Sequence, residues 1–289
     1  MVAITPMSQR GGPITVGVAD EQRSALVFAA EAARLSGCDL QLVHAYTVPP
    51  APPEFVGTAY GIDVGGTYRD AGRAVLESAA AMLVADHGDV VVHSVVKRGS
   101  APRVLVATSE ASRLLVLGAD DCVPWYARLF ESRVSRKLAE SAVCPVVVVP
   151  DSWDPRHRTR GVTLLLDSET VAHGPLRFAF EQAALRGDQV RVVHFESAGG
   201  TEEGSVPWQD TVRLIESWSA QYPEVSTDVH VVAGVADVDT VEAFQSTGLL
   251  VLGRAHGAHS VVPFHGSLAR AVIEHADCPV AVVPPGYDC

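Results

Sequence analysis

The residues best suited to chemistry lie in the second half of the chain. Gly253-Arg254-Ala255-His256 opens a stretch that continues from Gly257 to His265 and closes on Gly266-Ser267. Ser267 stands at the expected start of a helix, where unpaired backbone N–H groups and the helix dipole attract an anion. Gly266 before it lacks the Cβ that would hold a phosphate away from the backbone. A Gly-Ser pair at such a position is also an ordinary helix cap, so the pair alone names no ligand. Asp167 and the His194-Phe195 step each follow an apolar run, at the strand ends where open parallel sheets bind ligands. An N-cap explains Asp167 equally well, and a hydrogen-bonded core histidine explains His194. His256, His259 and His265 share one loop but lack carboxylate or cysteine partners at metal-site spacings.

Catalytic signatures are missing. The chain has no G-x-S-x-G, no G-x-x-x-x-G-K-[ST], and no G-x-G-x-x-G behind a strand. The only lysines, Lys97 and Lys137, lie far from the glycine stretch, so no lysine clamps a phosphate there. No nucleophile–base pair can be named, and the expectation is a binding protein rather than an enzyme.

The elements that must position these residues occur twice. Ser112-Arg113-Leu114-Leu115-Val116-Leu117-Gly118 returns as Thr247-Gly248-Leu249-Leu250-Val251-Leu252-Gly253. Leu42-Val43-His44 returns as Val192-Val193-His194, and the Cys144–Pro150 segment as Cys278–Pro284. Three echoes in one order imply a duplicated unit of about 130 residues, which is a whole domain rather than a solenoid repeat. Each copy alternates short Val/Ile/Leu runs with amphipathic stretches, the pattern of an α/β parallel sheet of about five strands covered by helices on both faces. The expected division is an arm over 1–13, a first domain over 14–150, a linker over 151–160 and a second domain over 161–289. Pro49–Gly66 breaks the rhythm and reads as an irregular excursion before a helix over Asp70–Asp86. Cys144–Pro150 and Cys278–Pro284, which hold the final strands of the two copies, are apolar enough to be buried rather than left as exposed edges.

Composition removes several function classes. Among 289 residues the net charge is −12, against the basic face that a nucleic-acid or anionic-membrane binder needs. No apolar run approaches the roughly 20 residues of a membrane span, and the first residues lack the pattern of a secretory signal. Five scattered cysteines without a C-x-x-C suit reduced thiols and a cytoplasmic setting. The charge is lopsided: residues 14–150 carry 12 basic and 15 acidic side chains, whereas 161–289 carry 6 and 17. The second half therefore needs a cation or strong backbone dipoles to host a polyphosphate.

Taken together, these residues resemble the universal stress protein family as a tandem pair covering essentially the whole chain. The family's nucleotide motif, G-x2-G-x9-G-(S/T), is matched in register by Gly253, Gly266 and Ser267, with His256 in place of the middle glycine and Gly257 able to replace it by a one-residue shift. The resemblance implies two Rossmann-like or flavodoxin-like domains and a stress-response regulator that binds ATP, with Mg2+ as its counter-ion. It further implies that Asp167 faces the ribose or adenine, that the Phe195 backbone meets the adenine edge, and that Gly253, Gly266 and Ser267 cradle the phosphates. The first copy departs from the motif, with Asp121 at the middle glycine and Ser132-Arg133 or Glu131-Ser132 at the last pair; Asp20 and Gly118 are its isolated matches. At most one usable site, in the second domain, is expected. The alternative is a tandem stress protein without nucleotide that acts through protein–protein contacts. A weak homodimer or protein partner is expected to use Pro49–Gly66 and the loop holding Trp125 and Tyr126.

Overall fold

The computed structural model describes residues 11–19, 22–49, 63–119, 134, 137–138, 141–157, 159–167, 173–196, 208–233, 247–254 and 278–287. The first half contributes β1 (Ile14–Gly17), α1 (Arg23–Ser36), β2 (Leu40–Tyr46), α2 (Val64–Asp86), β3 (Val92–Arg98), α3 (Ala101–Ser109), β4 (Leu114–Ala119) and β5 (Val146–Pro150). The second contributes β6 (Val162–Asp167), α4 (His173–Arg186), β7 (Val190–Glu196), α5 (Trp208–Gln221), β8 (Thr227–Ala233), β9 (Leu249–Gly253) and β10 (Val280–Val283).

The strands form one sheet of ten in the order β3-β2-β1-β4-β5-β10-β9-β6-β7-β8. Each half has the same internal order, and every neighbour is parallel except β5 and β10. These two pair antiparallel, Val148 with Val280, Val147 with Ala281 and Val146 with Val282, as expected for two apolar edges that must be covered. The first and sixth strands are flanked by strands reached in opposite directions, so each half has one crevice where the winding reverses, at the carboxyl ends of β1 and β4 and of β6 and β9.

One face of this sheet carries a core that runs without a break through both halves. It includes Ile14, Val16, Leu40 and Leu42 of the first half, Val147 and Ala281 at the junction, and Leu164, Val192 and Val251 of the second. Helices α1 and α4 cover it with equivalent residues: Phe28 and Phe178, each the sixth residue of its helix, are both buried. Burying a phenylalanine side chain contributes roughly 1.5–3 kcal/mol. Both helices stop identically. Gly37 and Gly187 adopt φ 64°, a left-handed turn that costs glycine little, and the following N–H groups of Cys38 and Asp188 return to the carbonyls of Ala33 and Ala183. On the opposite face of the first half, α3 places Val104 and Leu105 against Val43, Leu115 and Leu117.

Side chains tie the halves across the junction. The Arg186 guanidinium lies 5.6 Å from the Phe28 ring centre, and Arg113 reaches Glu181 at 3.6 Å. The segment expected to be a linker is packed down. Trp153 is buried with its ring 5.5 Å from Phe28, Ser24 donates to the Asp151 carbonyl at 2.7 Å, and Asp154 holds Arg156 in a forked pair.

Two local expectations are corrected. Helix α2 begins at Val64, six residues ahead of the sequence expectation, so the last three residues of the Pro49–Gly66 excursion are helical. The run Val64-Gly65-Gly66 has poor helix propensity, but Asp63 caps it by accepting from the Gly66 N–H at 2.8 Å. A Cβ on Gly66 would collide with that carboxylate, so glycine there serves the cap. Strand β3 runs from Val92 to Arg98, two residues later than the apolar run Val90–Val96 suggests, because its register with β2 places Val92 beside Leu40. Among the described residues, no helix is long and apolar enough to cross a membrane.

Candidate functional site

Three of the residues singled out in the sequence converge in the second half. Strand β6 ends on Asp167, whose backbone pairs with Phe195 of β7. On the other side of β6, Leu165 pairs with Leu252, which sets Gly253 at the same carboxyl edge. Asp167, Phe195 and Gly253 therefore meet on three adjacent strands at the crevice where the winding reverses. His194 is buried one residue before Phe195. Gly257, Gly266 and Ser267 lie outside the described residues, as do His256, His259 and His265. Among the described residues no three His, Cys, Asp or Glu side chains cluster as metal ligands.

Arg254, directly after Gly253, does something that sequence reading passes over. Its backbone N–H donates to the Val283 carbonyl at 2.8 Å, and its guanidinium crosses β10 to donate to the Ala142 carbonyl of the first half at 2.6 Å. Burial pulls its pKa below the ordinary arginine value. The side chain points toward the junction, away from β6, and so anchors the start of the glycine stretch to the other half. Its rarity was the available signal, since residues 161–289 hold only six basic side chains.

The first half has a described crevice at the equivalent place, a cavity of about 280 Å³ beyond β1, β2 and β4. Its described lining carries no charged side chain and is apolar apart from Gln22, His44 and the backbone. The His44 Nδ1 lies 2.8 Å from the Val18 carbonyl, so this nitrogen bears the proton and the ring is held as part of the scaffold. The Gln22 side chain lies over Gly118. A Cβ on that glycine would come within 2.8 Å of the Gln22 Cδ, so glutamine occupies the close-approach surface that glycine leaves open.

Register also changes which residues correspond. Ile14 stands beside Leu40, and Val162 stands beside Val190, so Ile14 and Val162 are equivalent. Counting along both strands makes Ala19, not Asp20, the counterpart of Asp167, and Ala45 the counterpart of Phe195. Asp20, the acidic residue that follows the first strand in the sequence, stands one position beyond Ala19. Asp20, Asp121, Ser132 and Arg133 lie outside the described residues, as do Trp125, Tyr126 and residues 50–62. Cys38, Cys144 and Cys278 are buried thiols, and burial pushes the Cys144 thiol up to about 12, which fits a packing role.

Comparison with known proteins agrees with this duplicated plan. The chain is 27% identical to universal stress protein Rv2623 of Mycobacterium tuberculosis, over 93% of this chain and 95% of that protein. It is likewise 27% identical to universal stress protein Mb2028c of Mycobacterium bovis, over 96% and 98% of the two chains. The crystal structure of a universal stress protein from Archaeoglobus fulgidus superposes with a TM-score of 0.67 at 16% identity, covering 95% of this chain and 97% of that one. The profile of the universal stress protein family matches residues 12–150 and again 160–284. Matched twice over nearly its whole length, the chain belongs to the universal stress protein family.

Proposed function

We propose that the chain is a regulatory binding protein that takes one adenine nucleotide, ATP with its Mg2+, at the crevice of β6, β7 and β9. The observation that carries this reading is the strand register, which brings Asp167, the Phe195 backbone and Gly253 to one edge. In this reading Asp167 meets the ribose or adenine, Phe195 offers backbone groups to the base, and Gly253, Gly257, Gly266 and Ser267 surround the phosphates. The counter-ion offsets the acidity of residues 161–289, where 17 acidic side chains face 6 basic ones. The sequence carries no recognised nucleophile motif, and in this reading the nucleotide acts as a signal rather than a substrate, in a reduced cytoplasmic setting.

The first half enters this reading as a partner domain. Ala19 and Ala45 stand where Asp167 and Phe195 would, and Gln22 covers Gly118. That same apolar crevice favours a second reading, in which neither half binds nucleotide and the chain works through protein contacts. Mass spectrometry of the denatured, purified protein, with calorimetric titration of MgATP, separates them. The first reading expects one nucleotide per chain; two per chain, or none, overturns it.

A further inference from the structure

We propose that β8 is a self-pairing edge through which two copies of this chain associate, antiparallel and centred on Val229. Among the described residues the ten-stranded sheet ends in β3 on one side and β8 on the other. The described β8 pairs with β7 alone within the sheet. The Val190 N–H donates to the Ser226 carbonyl at 2.9 Å, which fixes the alternation of this parallel ladder. The backbone groups of Asp228 and His230 then turn toward β7, and those of Thr227, Val229 and Val231 turn outward. Val229 is 39% and Val231 45% exposed, unusual for valines in a sheet.

The two edges are defended differently. Strand β3 ends in Lys97 and Arg98, and charged residues on an edge discourage pairing with another chain. Strand β8, Thr-Asp-Val-His-Val-Val-Ala, has no lysine, arginine or proline.

Its sequence is complementary to itself when reversed. Pairing about a two-fold axis through Val229 sets Val229 against Val229 and Thr227 against Val231, as hydrogen-bonded pairs formed by the outward backbone groups. Asp228 then faces His230 of the other copy at both flanking, non-hydrogen-bonded positions, where side chains lie closest. Asp228 and His230 are already joined within the strand at 2.8 Å and are largely exposed, so each has free capacity for a second partner. A register centred on His230 would instead oppose His230 to itself and Asp228 to Val232. Charge complementarity selects a second copy over a foreign strand. One strand pair buries less than the roughly 1,600 Å² of a standard interface, so the dimer is weak and concentration-dependent.

Light scattering and sedimentation of the full chain over a wide concentration range test this. The expected result is a dimer fraction that rises with concentration and is lost in Val229→Pro. The Val229 N–H faces outward, so proline there leaves the β7 ladder intact. His230→Asp opposes two carboxylates at each flank and weakens association about tenfold; exchanging both residues, Asp228→His with His230→Asp, restores it. Circular dichroism checks that each variant folds. A chain monomeric at every concentration, a dimer unchanged in Val229→Pro, or failure of the double exchange to rescue overturns the proposal.

Discussion

The crevice beyond β1 and β4 and the crevice beyond β6 and β9 stand on matching strands yet carry different residues at matching positions. In the first, Ala19, Ala45 and Gly118 occupy the three key positions, and Gln22 covers the glycine. In the second, the corresponding positions are Asp167, Phe195 and Gly253. Beneath the mouths the copies agree: the buried Phe28 and Phe178 and the helix-ending Gly37 and Gly187 hold equivalent places. Residues that the sheet depends on have kept their character, because a change there costs stability in the whole molecule. Mouth residues contribute little to packing, so the two mouths can differ while both copies remain halves of a shared core.

The largest effect expected from this difference is on nucleotide binding. Gly266→Glu places a carboxylate where the phosphates are proposed to lie and should abolish calorimetric binding of MgATP, whereas Asp121→Gly should leave it unchanged. Binding that survives Gly266→Glu would remove the asymmetry between the copies. Next in size is the shared core. Phe28→Ala and Phe178→Ala should each cost about 3–5 kcal/mol, read from denaturant unfolding followed by near- and far-ultraviolet dichroism. Because the core is continuous through β5 and β10, both variants should shift one common transition. Two separated transitions would show that the halves fold independently.

A smaller loss is expected from Arg254→Ala. Ala142 is buried, and its carbonyl would lose its inter-half donor, at a cost of about 1–3 kcal/mol. The counterpart of Arg254 in the first half is Ala119, so the tie is one-sided, and substitution at Ala119 offers no equivalent loss. An unchanged denaturation midpoint in Arg254→Ala would show that this bond contributes nothing. The smallest effect at neutral pH concerns Cys144. Its thiol is pushed from 9.0 up to about 12 by burial, so the folded state favours the protonated form. The stability from this group is complete below pH 9 and declines as the pH rises toward 12. Peptide mapping after alkylation at neutral pH should find Cys144 and the equally buried Cys278 modified together, and only under unfolding conditions.

Much of this architecture is legible in the chain itself. The repeated Leu-Leu-Val-Leu-Gly runs mark β4 and β9, and the Cys-Pro-Val runs lead into β5 and β10, whose apolar character calls for burial. The placement of Asp167, Phe195 and Gly253 at one crevice follows from the same pattern. The start of α2 was hidden because Gly65 and Gly66 disfavour helix on their own, and only the Asp63 cap overrides them.

The amino-acid sequence by itself determined the duplication, the alternation of strands and helices and the family, because these are encoded in local apolar periodicity and in motif spacings. Tertiary structure alone decided that Ala19 rather than Asp20 answers to Asp167, that Gln22 lies over Gly118, that Arg254 reaches Ala142, and that β3 and β8 end the described sheet. Each of those depends on register between strands or on side chains meeting across many intervening residues. A one-residue difference in register changes which side chain stands at a strand's end, and no pattern within a single segment reports it.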